Sequence, residues 1–122
     1  SGDLNVVLYN LKKEYNQNEE ARLKIHVRDK YPTRTFVTSS NFLDVGHFKS
    51  TSYYSIRDGH TEEEIIPFDD TFTKLSANNE GMYFNLDMKG LQPERYYRIL
   101  LKHENNDGTT IYDDKYIFKV IR

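Results

Sequence analysis

A two-layered all-β sandwich is the fold this sequence predicts, and three observations predict it. Segments such as Ala21-Arg-Leu-Lys-Ile-His-Val27 and Met82-Tyr-Phe-Asn-Leu-Asp-Met88 alternate apolar and polar residues. Side chains of a strand point to its two faces in turn, so this period marks sheets with one face buried and one in water. Turn-forming clusters at Asp58-Gly59, Asn78-Asn-Glu-Gly81 and Asn105-Asn-Asp-Gly108 punctuate the alternation. No ten-residue segment keeps a 3.6-residue period, so little or no helix is expected.

The elements follow in order. Residues 4–11 read as a first strand, with Leu4, Val6 and Leu8 on one face and Val7, Tyr9 and Leu11 on the other. Residues 12–20 are polar and read as a loop. Along 21–27, Ala21, Leu23, Ile25 and Val27 point inward; Arg22, Lys24, His26 and Arg28 point outward. Residues 29–50 are irregular, with a short edge strand expected over 35–38 and another strand or loop over 41–48. Residues 52–57 form a strand, Asp58-Gly59 a hairpin turn and 63–67 the return, which Pro67 confines to a sheet edge because proline cannot donate to a ladder. A short strand is expected over 72–75 and a turn over 78–81. Phe84, Leu86 and Met88 then face inward, as do Tyr97, Ile99 and Leu101 of the central strand. The last strand begins at 110–112 and ends at 116–121, and Asp113-Asp114 between them suggests a bulge or bend.

Composition agrees with one domain. The chain has 122 residues and no cysteine, long enough to bury roughly two-thirds of its unfolded surface without disulfide staples. Hydrophobic residues are 37% and the formal charge is −2, with a mean hydropathy of −0.80. That implies a thin core under a polar surface. The basic excess that displaces counterions from phosphate is missing, so nucleic acid is not an expected partner. No apolar run approaches the ~20 residues of a membrane span, so no membrane partner is expected. Ser1-Gly2 reads as a scar of tag removal, residues 3–122 as a single sandwich domain, and a longer natural chain upstream is compatible with both.

Leu91-Gln-Pro93-Glu-Arg-Tyr-Tyr97 narrows the fold. Pro93 fixes its φ and halts strand pairing, and a tyrosine four residues later can return its hydroxyl to the backbone of the bend. Leu91, Pro93 and Tyr97 thus mark the tyrosine corner of immunoglobulin-like sandwiches. An immunoglobulin-like β-sandwich of about seven to nine antiparallel strands in two sheets is expected. From Met82 to Ile121 the chain resembles the last three strands of a fibronectin type III or related domain. It departs from that family in having no tryptophan, so Ile25 or Val27 must fill the space, and in its long 29–50 segment. Lys30-Tyr-Pro-Thr-Arg-Thr-Phe36, Ser52-Tyr-Tyr-Ser-Ile-Arg57, Ile65-Ile-Pro-Phe-Asp69, Thr73-Lys-Leu-Ser76 and Tyr83-Phe-Asn-Leu-Asp87 also resemble structural proteins of tailed phage virions, especially marine phages with contractile tails. This resemblance implies a structural role in an extracellular particle and brings no catalytic residues.

The chemistry-bearing residues point the same way. His26, His47, His60 and His103 read as isolated surface or turn histidines, since strand metal sites need histidines one residue apart or on paired strands. Asp58, Asp69-Asp70, Asp107 and Asp113-Asp114 follow no calcium-loop spacing and are better explained by turns and strand ends. Ser39, Ser40, Ser50, Ser52 and Ser55 lack a Gly-x-Ser-x-Gly elbow, and the six glycines form no phosphate loop. Adjacent strand tyrosines point to opposite faces, so one of Tyr53-Tyr54 and one of Tyr96-Tyr97 belong to the core. Tyr9, Tyr83, Tyr96 and Tyr112 remain as exposed members of any sugar-stacking platform.

The expected function is therefore non-enzymatic: a virion structural, decoration or attachment module with no cofactor and no metal. Its expected partners are other virion proteins or copies of itself, met through an edge strand and a surface of Tyr31, Arg34, Phe36, Phe42 and Phe48. The alternatives are a module that binds host surface glycans and a cellular adhesion or enzyme-accessory sandwich.

Overall fold

The structure is a computed structural model that describes residues 4–29, 51–79, 81–105 and 108–122. Its strands are β1 (Leu4–Leu8), β2 (Glu14–Asn16), β3 (Glu20–Asp29), β4 (Thr51–Asp58), β5 (Glu64–Ile66), β6 (Ser76–Asn78), β7 (Gly81–Asp87), β8 (Arg95–Asn105) and β9 (Gly108–Ile121). They build two sheets, one of four strands in the order β1-β3-β7-β6 and one of five in the order β2-β9-β8-β4-β5. The helical content of the described residues is a single 3-10 turn over Met88–Gly90. This is an all-β sandwich. Its strand order is compatible with an immunoglobulin-like domain, in which the first, second and fifth strands share one sheet and the third, sixth and seventh the other.

The alternating residues meet between the sheets. Val6, Leu8, Leu23, Ile25, Phe84 and Leu86 come from the four-stranded sheet; Tyr54, Ile56, Tyr97, Ile99, Leu101, Phe118 and Val120 come from the five-stranded one. Each such side chain is worth about 1.5–3 kcal/mol in apolar burial. Tyr54 lies flat on Phe84 across the interface, with ring centroids 3.9 Å apart and planes 13° apart.

The bend after β7 is a tyrosine corner. Asp87 accepts the Lys89 amide at 3.0 Å and starts the 3-10 turn, which drops Met88 and Leu91 into the core. Pro93 follows, and Glu94 takes a left-handed φ of 63°. The chain then enters β8 with Tyr97 buried and its hydroxyl directed at Gln92. The suspected irregularity at Asp113-Asp114 is a bulge: Ile99 pairs with Tyr116 but Leu101 with Tyr112. Two residues on β8 thus span four on β9. Lys115 takes up the excess with φ 61°, and Asp113 accepts from Arg98 Nε at 2.8 Å.

Three expectations need correction. Residues 12–20 are not all loop. β2 runs through them and pairs with β9 in parallel, so the sheets are not wholly antiparallel. The segment looks like a loop because one apolar side chain, Tyr15, carries it inward. Tyr15 packs edge-on against Phe118 at 5.6 Å, and its hydroxyl accepts the Lys12 amide at 2.9 Å.

The strand expected over 72–75 reduces to one bridge between Tyr53 and Lys74. The regular strand comes later, at Ser76–Asn78, and ends where the turn expected over 78–81 begins. Asp69 is the cause, because its carboxylate takes the amides of Thr71 and Phe72 at 2.7 and 2.9 Å and folds the chain into a turn.

Tyr53 and Tyr54 are both buried, although only one was expected in the core. Tyr53 does point to the outer face of its sheet. The segment after β5 folds over that face, and Lys102 Nζ lies 4.8 Å from the Tyr53 ring centroid and 4.9 Å from that of Phe68.

Candidate functional site

The contact surface expected from sequence, Tyr31, Arg34, Phe36, Phe42 and Phe48, lies outside the described residues, as do His47 and the strands expected within 29–50. The described residues carry three other arrangements with chemical potential.

The first is internal. His103 was expected at the surface, yet it is buried, with its Nδ1 2.8 Å from Ser52 Oγ. Its β8 neighbours explain the placement. Tyr97, Ile99 and Leu101 face inward, and residue 103 continues the same period. Burial pushes the imidazole below its ordinary pKa, because water no longer solvates the charged ring. A serine beside a histidine is the start of a nucleophilic pair, but both are covered, and Nε2 has no hydrogen-bond partner. Among the described residues no third group orients the pair, which forms a polar end to the core.

Two of the acids considered as calcium ligands, Asp58 and Asp69, are occupied by their own turns. Asp58 accepts the amides of His60 and Thr61 at 2.8 and 2.9 Å, with Arg95 3.6 Å away. The Thr61 and His60 amides hold its carboxyl below the usual range. The Phe72 and Thr71 amides do the same for Asp69. No three metal-ligating side chains converge among the described residues.

The second arrangement is an apolar knob. Phe72 is 80% exposed at the tip of the Asp69 turn. That turn is locked twice more: Asp69 N donates to Thr73 Oγ1 at 2.6 Å and Thr73 N to Asp69 O at 3.1 Å. On its C-terminal side the buried Thr73 and the partly buried Leu75 bond to β4, through Tyr54 N to Thr73 O at 3.0 Å and Leu75 N to Ser52 O at 2.8 Å. Phe72 therefore stands in water on a fixed support.

The third arrangement lies on the outer face of the four-stranded sheet. A shallow depression is lined by Tyr9, Arg22, Lys24, Asn78, Met82 and Tyr83. Of the four tyrosines expected at the surface, it gathers Tyr9 and Tyr83. Tyr96 is exposed on the opposite sheet, beside His60, and Tyr112 is half-buried against the core. The Arg22 guanidinium lies 4.2 Å from the Tyr83 ring centroid, and its Nε donates to Asn85 Oδ1 at 3.1 Å. Tyr9 stacks on His26 with centroids 4.0 Å apart and planes 10° apart. Asn10 fastens this corner, donating to Arg22 O at 3.0 Å and accepting from Lys24 N at 2.8 Å. The alternation of β3 foretold the outward cations, but the partner rings, Tyr9 just after β1 and Tyr83 on β7, depend on strand pairing. Compared with known proteins, the chain matches no family model and no curated sequence.

Proposed function

We propose that this chain is a non-enzymatic structural, decoration or attachment module of a tailed-phage particle, held there by contacts with other virion proteins or with copies of itself. The observation that carries this reading is Phe72, exposed on a turn that three hydrogen bonds from Asp69 and Thr73 hold in one shape. A lone exposed apolar side chain on a loose loop is ordinary. On a rigid tip it loses little freedom when a partner buries it, so more of the burial energy appears as affinity. Central aromatic anchors of this kind dominate protein interfaces. Of the four described edge strands, β2, β5 and β6 have three residues each and β1 five, so an exposed side chain such as Phe72 adds contact that these short ladders do not supply. The particle itself comes from the resemblance of residues 30–36, 52–57, 65–69, 73–76 and 83–87 to virion structural proteins.

The test is a phage carrying Phe72→Ser in this chain. Fewer copies per purified particle, with the melting temperature of the isolated protein unchanged, is the expected result. Full incorporation of the variant, or absence of the wild-type chain from purified particles, overturns the proposal.

A further inference from the structure

We infer that the depression between Tyr9, Arg22 and Tyr83 binds an acidic sugar unit of a glycan chain. The inference is independent of Phe72, which belongs to a different part of the surface.

The site is built rather than incidental. Arg22 and Lys24 occupy alternate positions of β3, so two cationic side chains lie about 6.6 Å apart on one face. This happens in a protein whose formal charge is −2, so the basic pair is local. The Arg22 guanidinium is held by a ring beneath it and by Asn85 at Nε. That geometry leaves its two terminal nitrogens to meet a carboxylate as a fork, the arrangement for which arginine is suited.

Tyr9 supplies the second half of the site. It is 45% exposed, and His26 covers one face of its ring. Its amide bonds to Lys24 O at 3.2 Å, and the two Asn10 bonds to β3 pin the residue after it. A fixed ring beside a fixed guanidinium offers an apolar plate next to a charged fork. A uronic acid presents the matching pair, the C–H face of its ring and a carboxylate on the ring edge. Asn78 adds an amide to the lining.

Other anions fit less well. An acidic peptide adds a strand to a sheet edge through its backbone, whereas this site lies on a sheet face. Nucleic acid needs a long basic surface, and two residues of one strand are short for that. The depression is shallow, so a ligand lies across the sheet face rather than being enclosed by it.

The experiment is a titration of the purified protein at low salt with an oligogalacturonate hexamer. Cellohexaose tests the sugar ring without charge, and poly-glutamate of matched length tests charge without the sugar. The expected result is saturable binding of the oligogalacturonate, with amide shifts confined to residues 9–10, 22–26, 78 and 82–85. Cellohexaose and poly-glutamate should each bind at least tenfold more weakly. Tyr9→Ala and Arg22→Gln should each weaken the uronate at least fivefold while melting within a few degrees of the wild type. A Tyr9→Ser protein replaces any variant that melts early. No saturable binding of the oligogalacturonate, equal binding of poly-glutamate or cellohexaose, or wild-type affinity in both variants overturns the inference. Particle incorporation does not enter this assay, so its outcome is separate from that of the Phe72 test.

Discussion

The Tyr97 hydroxyl accepts a hydrogen bond from the Gln92 amide at 2.8 Å and lies 3.4 Å from the Gln92 carbonyl oxygen, to which it donates. One phenol thus closes a five-residue loop against itself, and it does so from inside the core, where Tyr97 is 2% exposed. The ring packs beside Phe118 with centroids 5.8 Å apart. The corner therefore joins the bend to the packing of β8 on β9.

Replacing Tyr97 with phenylalanine keeps the ring and removes both bonds. The Gln92 amide then loses its acceptor in a partly buried place. Net loss of such a bond costs about 1–2 kcal/mol. Urea unfolding of Tyr97→Phe should show that loss through a lower midpoint with an unchanged m-value, and a midpoint equal to the wild type would refute the role given to the hydroxyl.

Gly59 makes a close approach rather than a special turn. Its amide donates to Tyr96 O at 2.8 Å. A Cβ added there would meet Tyr96 Cβ at 3.0 Å and the Tyr96 carbonyl carbon at 3.1 Å. The backbone of β8 cannot retreat without breaking its pairing with β4. Gly59→Ala is expected to cost about 1–3 kcal/mol, the range of overpacked sites, as measured by chemical denaturation. A neutral or stabilising effect would mean that the turn shifts freely.

Tyr15 is the only core residue of β2, and β2 is attached through its short parallel ladder on β9. Truncation to alanine should cost about 3 kcal/mol, the low end for removing a buried aromatic ring. Amides of Gln17 and Lys119, which bond to Ile121 O and Lys13 O, should then lose protection in hydrogen exchange before the rest of the sheet. Uniform loss of protection over the whole chain would show that β2 does not detach on its own.

His103 makes stability depend on pH in a definite direction. Burial lowers its pKa below the ordinary value of 6.5, so the unfolded chain takes up a proton at a higher pH than the folded one. Stability is then full above about pH 6.5 and falls as the pH drops through the window between the two values. Asp58 and Asp69 act lower. Their folded pKa values lie below the ordinary 3.8, so their contribution is present above that value and is lost as the pH falls through the folded pKa. Denaturation midpoints at pH 7.5, 6.5, 6.0 and 5.0 should decline across the histidine window, and His103→Gln should flatten that decline. A profile that is level from pH 7.5 to 5.0 in the wild type would contradict the burial of His103.

How much was legible in the sequence varies with the number of residues that carry each signal. β3 and β7 have several inward residues in strict alternation, so both their existence and their buried faces could be read. β2 has one, and a single tyrosine among lysines, glutamates and asparagines cannot announce a strand. The shift from residues 72–75 to Ser76–Asn78 has a local cause in the Asp69 carboxylate, but its competition with strand pairing is settled by β4 alongside. His103 lay on an alternating strand next to Leu101, and extending that period by one step would have placed it inside. Tyr53 could not have been found so, because its outward direction is correct and a segment from elsewhere covers it.

By itself the sequence determined that the chain forms strands, which faces of β3, β7 and β8 are apolar, and that the chain bends at Leu91, Pro93 and Tyr97. These are local properties, fixed by side-chain period and by the restricted φ of proline. The tertiary structure alone decided that β2 lies parallel to β9, that Tyr53 is buried, and that Tyr9 of one segment and Tyr83 of another flank Arg22. Such neighbours come from strand pairing between residues far apart in the chain, where burial of the whole core selects the register.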